Sequence, residues 1–197
     1  MGKLTKALVM KKTLTSVIFL LITATCWAPL TDFRLRLDTL REASAQFDIK
    51  YHEAELNRFI TDLGYRESGG NWLSINRVGC FGEWQFAEST LRYLGFRNIT
   101  LKKFRENPMI FPKKLQEEAL KSLIRVNLIY LKKYENYLGT TVRGIVVTRT
   151  GMIAASHLGG AGSLKRFLES GGRIDHKDSF GTPISEYLRK FNCYAID

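Results

Sequence analysis

A carboxylate at the end of a helix, beside glycines and an aromatic ring, is placed to give and take a proton. The string Arg66-Glu67-Ser68-Gly69-Gly70-Asn71-Trp72 offers that arrangement. Apolar neighbours disfavour the charged form of a carboxyl group, so a carboxyl in such a setting can hold a proton at neutral pH and act as a general acid. A glutamate on its own would more simply be a surface residue paired with an arginine. Two further segments give Glu67 company. Asn76-Arg77-Val78-Gly79-Cys80-Phe81-Gly82-Glu83-Trp84-Gln85-Phe86 carries a second carboxylate, and Ala154-Ala155-Ser156-His157-Leu158-Gly159-Gly160-Ala161-Gly162 carries a histidine.

The elements that must position these groups are mainly helical. Leu56, Phe59, Ile60 and Leu63 recur at the spacing of one helix face, which predicts a helix running into Glu67 and stopping at Gly69-Gly70. Residues 72–85 read as a small irregular hairpin or loop, and Ala87 to Leu94 as a short helix. Pro112 to Tyr137 holds the longest helical pattern and is expected to be the central helix. Gly151 to Leu158, Ala161 to Ser170 and Pro183 to Phe191 complete the set, with Thr182 as the expected N-cap of the last helix and Pro183 at its first position. The fold class expected is mainly α with a small β element, in one domain from about residue 51 to residue 197.

In order and spacing the three chemical segments resemble the lytic transglycosylase branch of the lysozyme-like superfamily. The motifs of that branch are a Glu-Ser opening, a Gly-x-x-Gly-x-x-Gln middle and an Ala-Tyr-Asn-x-Gly close, and the likeness spans about residues 56 to 170. The resemblance implies a lysozyme-like (α+β) catalytic domain that cleaves the β-1,4 bond between N-acetylmuramic acid and N-acetylglucosamine in peptidoglycan, with no cofactor. It implies Glu67 as the acid/base, Ser68 as a residue orienting it and Gln85 as part of the sugar cleft. Ser156 and His157 stand where the family has tyrosine and asparagine. Either His157 replaces the missing polar contact or it caps a helix end.

The family also implies a substrate-assisted course, in which one carboxylate serves both steps and the product ends in a 1,6-anhydro sugar. Two alternatives stay open. Glu83 could act as a second carboxylate that activates water, which would make the protein a hydrolytic muramidase, or it is a loop residue balanced by Arg77 or another base. The altered third motif also fits a non-catalytic peptidoglycan-binding scaffold, against which the intact Glu67 argues. Trp72 and Trp84 either stack on sugars or pack in the core.

The chain of 197 residues has 30 lysines and arginines against 19 acids. Lys3, Lys6, Lys11 and Lys12 precede an apolar run from Leu14 to Trp27, too short to span a bilayer comfortably, so residues 1–28 read as a signal peptide or N-terminal membrane segment. Residues 29–50 read as a linker or leading helix. Export to the periplasm or the exterior follows from this reading, with membrane association through the N-terminus as an option. The surplus charge beyond residue 30 is 26 against 19, which suits an anionic wall polymer. Nucleic acid is not expected as a partner, because the basic residues form no dense stripe and the export signal points elsewhere. By analogy alone, a secretion or conjugation machine of the envelope is a candidate partner. If Cys26 leaves with the signal segment, two cysteines remain, and in an oxidising compartment Cys80 and Cys193 could pair. No metal site is expected, since His52, His157 and His176 lack ligand spacing and neither cysteine has a close partner in sequence.

Overall fold

The computed structural model describes residues 52–196, and the expected signal and linker segments lie outside them. The apolar stripe of Leu56, Phe59, Ile60 and Leu63 is realised in helix α1, residues 52–68. It turns Phe59 and Leu63 fully inward. The helix stops where predicted: Gly69 and Gly70 take φ of +67° and +78°, and their amides donate to the carbonyls of Tyr65 and Gly64. Residues with a Cβ enter that backbone region only at a cost, which is why glycine ends the helix there.

The following helices are α2 (Glu88–Tyr93), α3 (Leu101–Glu106), α4 (Lys113–Leu131), α5 (Arg149–Gly159), α6 (Ala161–Glu169) and α7 (Ile184–Lys190). The pattern expected to run to Tyr137 as one helix divides, with α4 ending at Leu131 and a 3₁₀ turn covering Lys132–Tyr137. The hub is α5 instead of α4: every residue from Thr150 to Ser156 is buried, and α5 packs on α4, α6 and α7. A helix that is apolar on all sides belongs inside the molecule, whereas α4 keeps a solvent face. Gly151 allows the close approach of α7, since a Cβ there would stand 2.7 Å from the Leu188 carbonyl oxygen.

The β element lies elsewhere than expected. Strands β1 (Thr141–Val142) and β2 (Ile145–Val146) form a two-stranded antiparallel ladder with Thr141 opposite Val146. Arg143 and Gly144 make its turn, both at positive φ, as a two-residue hairpin requires. Residues 72–86 hold only single bridges, Ile75 with Phe81 and Phe81 with Phe86. This segment is a loop held from below by packed phenylalanines: Phe81 lies 4.9 Å from Phe104 in a tilted pair and 5.9 Å from Phe111 edge to face, ring centre to ring centre. Helix α3 and the turn Pro108–Ile110, which the sequence reading did not anticipate, exist to supply that floor. Burying each ring stabilises the loop by roughly 1.5–3 kcal/mol.

Pro183 occupies the N-cap position of α7 and Thr182 lies one residue outside the helix, a correction to the expected cap. The Thr182 amide instead donates to Asp178 Oδ1 at 2.8 Å. No helix among the described residues is long and apolar enough to cross a membrane.

Candidate active site

A cleft of about 750 Å³ opens over the C-terminal end of α1. Its lining includes Glu67 from α1, Gln85 from the 72–86 loop, His157 from α5 and Tyr187 from α7. Three of these were named from the sequence, and four separate elements bring them together. Close approach of α1 to the loop depends on Gly64, where a Cβ would stand 2.8 Å from Glu83 Oε1 and 3.1 Å from Trp84 Nε1.

Glu67 is nearly enclosed, with 12% of its side chain exposed. Its Oε1 accepts a hydrogen bond from the Tyr187 hydroxyl at 2.7 Å, and His157 Nε2 stands 3.9 Å from the same oxygen. Nε2 is also 2.9 Å from the Trp84 carbonyl oxygen. A carbonyl can only accept, so Nε2 carries the ring hydrogen. The Tyr187 hydroxyl is thus the group that holds Oε1, with His157 near the same oxygen but bonded to Trp84, and Oε2 takes no hydrogen bond from the described residues. One oxygen of Glu67 is anchored and the other is free for a ligand.

The surroundings are electrostatically connected. Arg66 pairs with Glu186 at 2.7 Å, and its guanidinium lies 5.5 Å from the centre of the Tyr187 ring. Burial works against the Arg66 charge, but Tyr187, Glu186 and Glu67 outweigh it, and the guanidinium pKa is raised. Burial, followed by the charge and hydrogen bond of Glu67, holds the Tyr187 hydroxyl well above its ordinary value. Tyr187 therefore acts as a donor and stays neutral. The sequence reading missed it, because on a face with Ile184, Leu188 and Phe191 a tyrosine reads as core.

Several expectations are corrected. Glu83 is not in the cleft: its side chain is 4% exposed and pairs with Lys113 Nζ at 2.9 Å, not with Arg77. Its amide donates to Gln116 Oε1, and the whole residue serves to seat the loop. Ser68 does not touch the Glu67 carboxylate but donates to the Glu83 carbonyl oxygen at 2.8 Å, tying the helix end to that loop. Trp84 is a core residue, 1% exposed, with its indole N–H on the Ile60 carbonyl. Neither Trp72 nor Trp84 lines the cleft. Trp72 is half-buried, and its carbonyl accepts from Gln116 Nε2. Gln85 does line it, at a φ of +50°, with its amide nitrogen donating to the Gly82 carbonyl at 2.7 Å.

Cys80 and Cys193 are both free thiols. Cys80 faces the cleft, while the segment bearing Cys193 is fastened elsewhere: Thr150 Oγ1 donates to the Phe191 carbonyl and the Tyr194 hydroxyl to Asp62. Those anchors hold the tail against α5 and α1, and Cys193 is exposed there as a free thiol instead of forming the expected bridge.

The other wall of the cleft comes from the loop His176–Thr182, including Lys177, Asp178 and Phe180. From the sequence this segment offered only a cap and a turn, with no sign of a cleft wall. Among the described residues no three histidines, cysteines or acids come together in a way that could hold a metal ion.

The chain matches no family model, no curated protein and no solved structure.

Proposed function

We propose that this protein is an exported, lysozyme-like enzyme of lytic transglycosylase type, cleaving the bond between N-acetylmuramic acid and N-acetylglucosamine in peptidoglycan. The observation that carries this reading is Glu67 itself, enclosed in a cleft with Oε1 anchored by Tyr187 and Oε2 free. In the proposed course, protonated Glu67 gives its hydrogen to the glycosidic oxygen as the C1–O bond breaks, and the substrate's N-acetyl oxygen stabilises C1. The Glu67 carboxylate then takes the hydrogen of the sugar's O6 hydroxyl. O6 closes on C1 to give the 1,6-anhydro end, and Glu67 is protonated again. Neither metal nor cofactor enters this scheme. Wall glycan strands are the partner in this reading, and an envelope-spanning machine that needs a local opening is a further one by analogy.

A hydrolytic second reading is favoured by one observation: Asp178 also lines the cleft. Its Oδ1 already accepts from the amides of Phe180 and Thr182, so it serves the loop first. Mass analysis of fragments released from purified sacculi separates the readings. Anhydro ends that vanish in Glu67→Gln and persist in Asp178→Asn and Glu83→Gln support the transglycosylase. Reducing ends on every fragment mean hydrolysis. A wild type that binds sacculi and releases nothing means a scaffold.

A further inference from the structure

The two walls of the cleft touch each other. Arg77 extends from the loop Asn76–Cys80 on one side, and its guanidinium carbon lies 4.6 Å from the centre of the Phe180 ring on the other. Phe180 lines the cleft and keeps 48% of its surface exposed. The contact is therefore made at the surface, between walls that the cleft otherwise separates.

Neither loop is slack. Asn76 Oδ1 accepts from the amides of Val78 and Cys80 at 3.0 and 2.9 Å, and the Asn76 amide donates to the Cys80 carbonyl. On the facing side Asp178 Oδ1 accepts from Phe180 and Thr182 at 2.9 and 2.8 Å, and the Asp178 amide donates to the Thr182 carbonyl. Side chains of this kind fix a turn by bonding to backbone amides further along it. The positions of Arg77 and Phe180 are thus set by their own loops, and the cation over the ring joins two formed surfaces.

A polymer cut at an internal bond must enter the site on one side and leave on the other, so it needs a groove open in both directions. Resting on the glycan-cleaving reading above, we infer that the Arg77–Phe180 contact determines specificity: it bars internal stretches of a strand and admits a strand end. Phe180 supplies an apolar face on which a terminal sugar stacks. Arg77 supplies a planar fork of donors for the hydroxyls or carboxylates beside it.

The test compares fragment lengths released from purified sacculi by the full-length protein, by Phe180→Ala and by Arg77→Ala, at equal extent of cleavage. Wild type is expected to release the shortest anhydro-ended fragments from the first time point. In both variants the ratio of long to short fragments should rise about tenfold, the effect of ~1.4 kcal/mol between competing barriers. Arg77→Lys, which keeps a cation over the ring but loses the planar fork, should fall between wild type and Arg77→Ala. Long fragments from wild type at the outset, removed by Glu67→Gln, would overturn the inference and leave the reaction standing. So would variants whose fragment distribution matches wild type. A wild type that releases nothing removes the reaction and the inference together.

Discussion

The Tyr187 hydroxyl donates to Glu67 Oε1 at 2.7 Å across 120 residues of sequence. That bond joins α7 to α1 and decides which oxygen of the carboxylate is free. Tyr187→Phe keeps the buried ring and removes the donor. A hydrogen bond to a charged group is worth about 1.5–3 kcal/mol, so kcat on sacculi should fall by roughly 10- to 100-fold. The expected split is a loss in kcat with KM little changed, because the hydroxyl positions Glu67 and is not proposed to bind sugar. A KM effect alone would contradict this role.

Alkaline pH should destabilise the protein through its buried tyrosines. An unfolded tyrosine loses its proton near 10.0, whereas burial and then the Glu169 hydrogen bond push Tyr134 up to about 12, and Tyr187 is raised as well. Above the unfolded value the unfolded chain releases protons that the folded chain retains. Stability is therefore whole below pH 10 and falls as pH rises towards 12. Thermal melts at stepped pH should show this fall, and Tyr134→Phe should make it shallower. An unchanged slope in the variant would rule out the Tyr134 contribution.

Gln116 is fully buried and satisfies three backbone groups: the Glu83 amide and the carbonyls of Trp72 and Phe111. Gln116→Leu strands them, at about 1–3 kcal/mol for each group left unpaired inside the protein. Gly82→Ala attacks the same point, since its φ is +87° and a Cβ would meet Gln116 Oε1 at 2.6 Å. Both variants should lower the denaturant midpoint, and proteolysis should then cut within residues 72–86 first. Wild-type protection of that segment in Gln116→Leu would show that the glutamine does not seat the loop.

The two thiols should react in a fixed order. Cys193 is exposed, while burial first, with the Asn76 hydrogen bond opposing and the Glu67 charge adding to it, pushes the Cys80 thiol up. Thiolate is the reactive form, so a raised value slows labelling at neutral pH and lets it quicken as pH rises. Iodoacetamide followed by peptide mapping should find Cys193 modified first. Glycan fragments in the cleft should protect Cys80 alone. Equal rates at both cysteines would contradict the placement of Cys80.

Much of the local structure was legible in the residues. The stripe of Leu56, Phe59, Ile60 and Leu63, the stop at Gly69-Gly70 and the short helices around Glu88, Ala161 and Ile184 follow from periodicity and from glycine's access to positive φ, which act over a few residues. The hub was expected at α4 because its pattern is the longest, but the length of a pattern does not report how many sides a helix buries. It is α5 that buries every residue from Thr150 to Ser156. The floor helix α3, six residues with Phe104 as its buried residue, was not read from the sequence.

By itself the sequence determined that a glutamate stands at a helix end beside glycines, and that a loop and a histidine follow at set spacings. Tertiary structure decided which of these groups share a cleft. It sent Glu83 and Trp84 inward, set His157 within 3.9 Å of Glu67, and brought Tyr187 to Glu67 Oε1. Side-chain orientation across a cleft depends on packing between elements distant in the chain, and no local spacing encodes that. Glu67 was visible from its neighbours in sequence; the hydroxyl that orients it became visible only when α7 was packed against α1.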